Sequence, residues 1–400
     1  MKADGARPPV AWGTEPAGRD LRRDAAVVAA TAIPFAIAGF GILELPVRWA
    51  ETSPYSSALT GLILAAFGLG YGLSQIPSGL LTDRLGAVRT LRLALLGCVV
   101  GWPLSLVDAW PVVALGRLVY GFGIGLTFSA GLMLIRSHVR ELRRARAIAF
   151  YGSSWAVGLV FAAFVAGSEL VSGLVLASAI VFGYLRLASL PPPTDKPALE
   201  PVASKEAKRS WTGAYWTTGA AVMCLVVPAG LLGQVALVTW APRTVTGETG
   251  IGVAAVGLAV AVGLVAGNMI GRGVARLAST DTIVAASPIL TGSLVAVFAF
   301  AGDSAVLRLA AVTAASTASL INFPPGMARI FRDTPAHLQA GTTALVNQLG
   351  WIASALGPIL LGLAAMQADA PSRGAWIAVG CLCAAAGVAA LAVNRAGVHT

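Results

Sequence analysis

Four hundred residues with 56% hydrophobic and only 12% charged side chains, at a mean hydropathy of +0.78, lie far from the balance of a water-soluble globular domain. A hydrocarbon core about 30 Å thick takes roughly 20 apolar residues per helix to cross, so this length holds many spans and leaves no room for a sizeable soluble catalytic domain. The net charge of +10 does not point to nucleic acid, because Lys and Arg punctuate the ends of apolar stretches instead of gathering on one face.

Residues 1–24 are rich in Pro, Gly and charge and are expected to form a disordered cytosolic arm, too polar for a signal-peptide n-region. Apolar stretches then run at about 25–47, 57–81, 91–108, 110–136, 147–168 and 170–188, each bounded by Gly, Pro or charge. These are spans one to six. Residues 190–212 hold Pro191, Pro192, Pro193, Pro197 and Pro201 among acidic and basic residues and read as a hydrated cytosolic linker. Spans seven to twelve follow at about 213–242, 250–271, 282–302, 304–330, 338–366 and 373–394. The expected fold is an all-α polytopic membrane protein: twelve transmembrane helices in two pseudo-symmetric six-helix bundles, 25–189 and 213–400, the second ending in a short cytosolic tail.

Positive charge fixes the expected orientation. Arg19, Arg22 and Arg23 precede span one, Arg84, Arg89 and Arg92 lie between spans two and three, and Arg136, Arg140, Arg143, Arg144 and Arg146 follow span four. Arg272 and Arg276 after span eight and Arg329 and Arg332 at the end of span ten continue the same side. The opposite loops offer little beyond Arg48, Arg243 and Arg373. Both termini and the linker are therefore expected on the cytosolic side of a cytoplasmic membrane, with lipid head groups as partners. The two halves also repeat: Gly79, Arg84 and Leu85 have identical residues 192 positions later at Gly271, Arg276 and Leu277, and Gly158 has one at Gly350, as inverted or parallel repeats of transporters do.

Cys98, Cys224, Cys381 and Cys383 fall inside apolar stretches without metal-ligand partners, and His138, His337 and His399 form no H-E-x-x-H pair. Neither a disulfide framework nor a metal site is expected. No G-x-x-x-x-G-K-[ST] run is present, so no nucleotide and no other cofactor is expected either.

Between spans two and three the chain reads Gly79-Leu80-Leu81-Thr82-Asp83-Arg84-Leu85-Gly86-Ala87-Val88-Arg89-Thr90-Leu91. This resembles the G-x-L-a-D-R-x-G-R-K-x-x-L signature of the major facilitator superfamily, with Ala87 and Val88 in place of its two basic residues and Arg89 one place late. The resemblance implies that Gly79, Asp83, Arg84, Gly86 and Arg89 form a cytosolic gate that latches against the start of span eleven, near Leu338 to Thr343. A small Gly79 is expected to let helices approach, and Asp83 to accept hydrogen bonds at a facing helix N-terminus. The second copy has Ala275 in the place of Asp83, so the latch is expected to be asymmetric. Arg117-Leu118-Val119-Tyr120-Gly121 in span four resembles the family's R-x-x-x-G pattern.

An arginine inside a span needs a carboxylate, carbonyls or water, and Glu44, at a similar depth in span one, is the expected partner of Arg117. Together they offer a route to proton coupling, the alternatives being a solvated Glu44 at the rim and an Arg117 that snorkels outward. Polar residues inside other spans supply candidate solute contacts: Tyr71, Gln75, Tyr151, Trp155, Gln234, Asn322, Asn347 and Gln348. Trp155 and Asn347 fall on equivalent positions of the two halves.

The expected function is a non-enzymatic, monomeric secondary transporter of a small solute, proton-coupled and working by alternating access. Uptake of a small anion and export of a drug or metabolite both remain open, since Tyr151-Gly152-Ser153-Ser154-Trp155 in span five lacks the Gly-Pro pair of the family's antiporters. A solute receptor that does not transport is the reading from another class. A polytopic membrane enzyme would show a cluster of His, Asp or Glu at one interface, which the sequence does not offer.

Overall fold

A computed structural model describes residues 18–50, 53–139, 141–190, 217–249, 252–274, 280–334, 339–366 and 370–397. The expected linker from Pro191 to Thr212, residues 1–17 of the expected N-terminal arm and the last three residues lie outside the described residues. Among those described, every regular element is a helix. Eleven helical stretches are long and apolar enough to cross a membrane, and a bent pair supplies the twelfth. Large apolar side chains face outward, Leu170 at 74% and Val306 at 79% exposure, a surface that only hydrocarbon tolerates.

Span one runs from Gly18 to Arg48, several residues earlier than the apolar stretch. Its first turns carry charge, but Asp24 accepts from Arg143 Nη1 at 2.7 Å, which fastens them against span five (Glu141–Val165). Spans three (Ala87–Leu104), six (Glu169–Ala188), seven (Thr218–Thr249), eight (Val253–Val274), nine (Thr280–Phe300) and twelve (Arg373–Gly397) are continuous.

The other four are interrupted. Span two breaks at Ser74 into Ser57–Leu73 and Gln75–Leu85, with a bend of 41°. Ser74 Oγ and Gln75 Nε2 both donate to the Tyr71 carbonyl there, at 2.7 and 2.9 Å, so side chains take the acceptor that the bend frees. Span four breaks at Leu126 (Trp110–Gly125, Thr127–His138), span ten at Asn322 (Ala305–Ile321, Phe323–Asp333) and span eleven at Ala355 (Gln339–Ser354, Leu356–Ala364). Pro324 and Pro325, and Pro358 after Gly357, lack the N–H that would continue the helix across the last two breaks.

Packing repeats between the halves. Span one lies on span five as span seven lies on span eleven, and span two lies on span four as span eight lies on span ten. Backbones touch in these pairs: a Cβ on Gly121 would fall on the Phe67 carbonyl, and one on Gly267 on the Thr317 carbonyl. Small residues substitute here for the hydrophobic driving force that lipid removes.

The halves meet through spans two and eleven, five and eight, and one and seven. Gly61 abuts Pro358 and Gly362, and Gly257 abuts Ala163 and Leu43, so the contact is closest at the ends away from the Arg-rich loops. Toward those loops Gly79, Gly152 and Gly273 have open space.

Gly121→Val is expected to lower the unfolding midpoint of the detergent-solubilised protein, since overpacking costs about 1–3 kcal/mol. Gly79→Val, with nothing within 4 Å of a new Cβ, should leave the midpoint where it is. Scanning fluorimetry of both variants tests the contrast.

Candidate functional site

Between the halves lies a cavity with about 950 Å³ of empty volume. One wall is aromatic. Phe35 of span one stacks on Tyr151 with centroids 4.4 Å apart, and Tyr71 sits 4.3 Å from Trp351 and 6.0 Å, edge to face, from Trp155. Trp155 and Trp351 close the set at 5.6 Å. Such offset and edge contacts hold rings rigidly, and here they join span two and span five to span eleven.

The polar wall comes from the second half, as four amides: Gln234, Asn268, Asn322 and Asn347. Asn347 Nδ2 donates to Gln75 Oε1 at 2.7 Å across the two halves, and Gln75 Nε2 donates in turn to the Tyr71 and Gly125 carbonyls at 2.9 and 3.1 Å. Asn322 Nδ2 donates to Ser287 Oγ at 3.0 Å, and Ser287 donates to the Ala318 carbonyl at 2.5 Å. The other two amides are not satisfied. Gln234 is 5% exposed and its Oε1 has no hydrogen-bond partner among the described residues. Asn268 lines the cavity with its amide accessible there, without a hydrogen bond to the described residues. Among the residues that line the cavity none carries a charge.

Of the expected solute contacts, the structure brings Tyr151, Trp155, Gln234, Asn322 and Asn347 into this one space, with Tyr71 beside them. Gln348 does not line it. One residue along a helix turns a side chain by about 100°, and the Gln348 carbonyl faces Gly72 instead. Phe35, Phe128, Asn268 and Trp351 also line the cavity without having been expected there. Trp351 follows Asn347 by four residues, hence on the same helix face, and Asn268 is an amide inside an apolar span, the signal that marked Asn322. Phe35 has no such mark among the apolar residues of span one.

Glu44 and Arg117 lie elsewhere, and their expected pairing is not formed. Glu44, 1% exposed, is ion-paired with Arg48 one turn on in the same helix. Arg48 Nη1 also donates to Glu169, at the start of span six, at 3.1 Å. Arg117 Nη1 donates to the Gly41 carbonyl at 2.6 Å, and its guanidinium lies 4.9 Å from the centre of the Phe67 ring. A main-chain acceptor and a ring face replace the carboxylate. The second half does the same thing: Arg308, 191 residues on, donates from Nη1 to the Thr244 carbonyl at 2.9 Å and from Nε to the Gly302 carbonyl at 2.6 Å.

The gate motif sits at the end of span two. Asp83, Arg84, Gly86 and Arg89 are exposed, and Asp83, Arg84 and Arg89 form no ion pair with the described residues. Gly79 meets no helix, contrary to the close approach expected of it; in the second copy Gly271 does, against Ile321 and Pro324. Gly86 turns the chain from span two into span three at φ +84°, a conformation that costs a side-chain-bearing residue but not glycine. Leu338, in the segment expected to receive the motif, and Ala275 to Ala278 of the second copy lie outside the described residues. The four cysteines are free, and among the described residues no His, Cys, Asp and Glu cluster could hold a metal.

The family model described as "Major Facilitator Superfamily" matches residues 25–358. Over 164 residues the chain is 29% identical to "Probable anion transporter 6, chloroplastic" of Arabidopsis thaliana, covering 39% of this chain and 29% of that protein. Over 112 residues it is 36% identical to the Inner membrane transport protein YajR of Escherichia coli (strain K12), covering 27% and 23%. These matches span well under half the length of the curated relatives. The crystal structure of a D-xylose-proton symporter superposes with a TM-score of 0.69 at 15% identity, over 92% of this chain and 97% of that one. That of a peptide transporter in complex with alafosfalin does so at 0.71 and 13%, over 94% and 98%. At such identities the likeness is one of fold.

A double-mutant cycle on Gln75→Ala and Asn347→Ala is expected to yield a coupling of about 0.5–1.5 kcal/mol in unfolding free energy, the range of hydrogen bonds between membrane helices. Additive effects of the two changes would deny the bridge a role in holding the halves together.

Proposed function

The chain belongs to the Major Facilitator Superfamily, and from that premise we propose that it is a secondary active transporter of a small solute that works by alternating access. It is an integral membrane protein. The observation that carries the reading is the cavity between the halves, shut by glycine contacts at one end and free of them toward the Arg-rich loops. With residues 25–189 and 213–400 as the two moving bodies, and with both termini cytosolic in a cytoplasmic membrane as the distribution of arginine implies, this is the inward-facing state of a monomer. Rocking the halves would separate Gly257 from Ala163 and Gly61 from Gly362 and bring the Arg-rich ends together.

In that second state Asp83, Arg84 and Arg89, which form no ion pair with the described residues in the inward-facing arrangement, would close on the start of span eleven. Tyr151, Trp155, Gln234, Asn322 and Asn347 would hold the solute, and Gln348 would pack span eleven on span two. Coupling to protons falls to Glu44, a carboxylate buried well inside a span. Its protonation would release Arg48 to Glu169 alone and slacken the tie between spans one and six, while Arg117 would hold the Gly41 turn of span one in place. No bond of the solute is made or broken, so the protein acts as a carrier and not an enzyme.

Spin labels at Gly167 and Gly252, both with open space around them and both at the ends away from the Arg-rich loops, test the reading before any substrate is known. Alternating access predicts a bimodal distance distribution in lipid nanodiscs; a single narrow distance would end the case for rocking. Asp83→Asn should abolish the longer component, and transport with it, while membrane insertion remains normal. Glu44→Gln should leave both components but remove the dependence of their ratio on pH. An unaltered pH response in that variant would place coupling elsewhere.

A further inference from the structure

Resting on the transport reading, we propose that the solute is an uncharged, planar aromatic compound bearing an amide- or hydroxyl-type hydrogen-bonding group. Three properties of the cavity lead to it. The first is the absence of charge from the lining. An anion or cation moved from water into an apolar space without a counter-charge loses several kcal/mol of hydration that nothing there replaces.

The buried arginines that could have served an anion lie outside the lining and donate elsewhere. Arg117 and Arg308 donate to the Gly41 and Thr244 carbonyls, and Arg329 donates to Asn394 Oδ1 at 2.7 Å and pairs with Asp333. Among the described residues the carboxylate buried deep in a span, Glu44, is paired with Arg48 and does not line the cavity. A cation would therefore find ring faces but no acid.

The second property is the aromatic wall. Phe35, Tyr71, Tyr151, Trp155 and Trp351 are locked against one another and line the space from one side. Flat rings fixed in this way favour a flat partner, with about 0.5–1.5 kcal/mol per aromatic pair beyond area burial. The third is the pair of unsatisfied amides opposite. Asn322 and Asn347 are already engaged with Ser287 and Gln75, whereas Gln234 Oε1 is buried without a partner among the described residues and the Asn268 amide faces the cavity free to bond an occupant. A buried amide without a partner is costly, and in this position the occupant of the cavity is the group that can supply one.

Matched probes isolate each property. Calorimetric binding to the purified full chain in nanodiscs would use indole-3-acetamide, its anionic counterpart indole-3-acetate, its cationic counterpart tryptamine, and the saturated cyclohexylacetamide. The amide of indole is expected to bind about tenfold or more tightly than each of the other three, the equivalent of roughly 1.4 kcal/mol. Gln234→Leu and Asn268→Leu should each weaken it about fivefold to tenfold, the loss of one hydrogen bond, with Phe164→Ala on the lipid-facing surface as the unaffected control. Equal or tighter binding of the acetate, of tryptamine or of the cyclohexyl compound overturns the proposal. So does the failure of indole-3-acetamide to bind, or wild-type affinity in both leucine variants when each retains the wild-type unfolding midpoint. The bimodal spin-label distance does not depend on any of these ligands, so loss of the substrate class leaves alternating access standing, and binding without a second distance sinks transport alone.

Discussion

Inside a bilayer core a polar group has no water to turn to, and each one must find its partner within the protein. That constraint sorts the polar residues of this chain into two sets. Arg117 and Arg308 each donate from Nη1 to a main-chain carbonyl, and many buried Ser and Thr hydroxyls bond carbonyls three or four residues back, as Thr239 does to Val235 and Ser354 to Trp351. These residues are structural glue. Gln234 belongs to the other set, buried polar groups with an atom left without a partner among the described residues, and it opens on the space between the halves.

The same constraint explains how the cavity is shaped. An unbroken helix satisfies its own backbone and offers little to its surroundings, so a wall of functional groups needs places where the helix lets go. Spans two, ten and eleven let go at Ser74, Asn322 and Ala355, and each break is either healed by neighbouring side chains or demanded by proline. At the first, Gln75 binds the freed Tyr71 carbonyl and so presents its Oε1 to Asn347. At the second, the residue at the break itself turns its amide into the cavity. The residues at the bends thus also shape the cavity wall.

Much of the architecture could be read from the sequence because its signals are long. Apolar runs of some twenty residues, arginines at alternate ends and a repeat of 192 positions all average over many side chains, and local noise does not erase them. Start points are another matter: Asp24 reads as solvent-seeking until Arg143 is placed beside it. Sites are legible only where chemistry contrasts with its neighbours. Gln234, Asn322 and Asn347 stand out in hydrocarbon-loving stretches, and the structure places them in the cavity lining; Phe35 does not stand out, and no pattern in span one singles it out. The pairing of Glu44 with Arg117 went wrong for a related reason. Equal depth in the membrane says nothing about rotation around the helix, and Arg48, one turn away in the same helix, had the shorter reach.

The separation of Glu44 from the cavity has a mechanistic consequence for a proton-coupled carrier. With no carboxylate among the described residues of the lining, coupling at Glu44, as proposed, would pass through conformation instead of competition for one group. The covalent continuity of span one offers a path: Phe35 lies against Tyr151 at the cavity, Gly41 accepts from Arg117, and Glu44 and Arg48 finish the helix at Glu169. A shift of span one relative to span five would be felt at the ring wall and at the ion pair together. Linkage of this kind is reciprocal: whatever the charge state of Glu44 does to the grip of the aromatic wall, an occupied wall must do in equal measure to the proton affinity of Glu44.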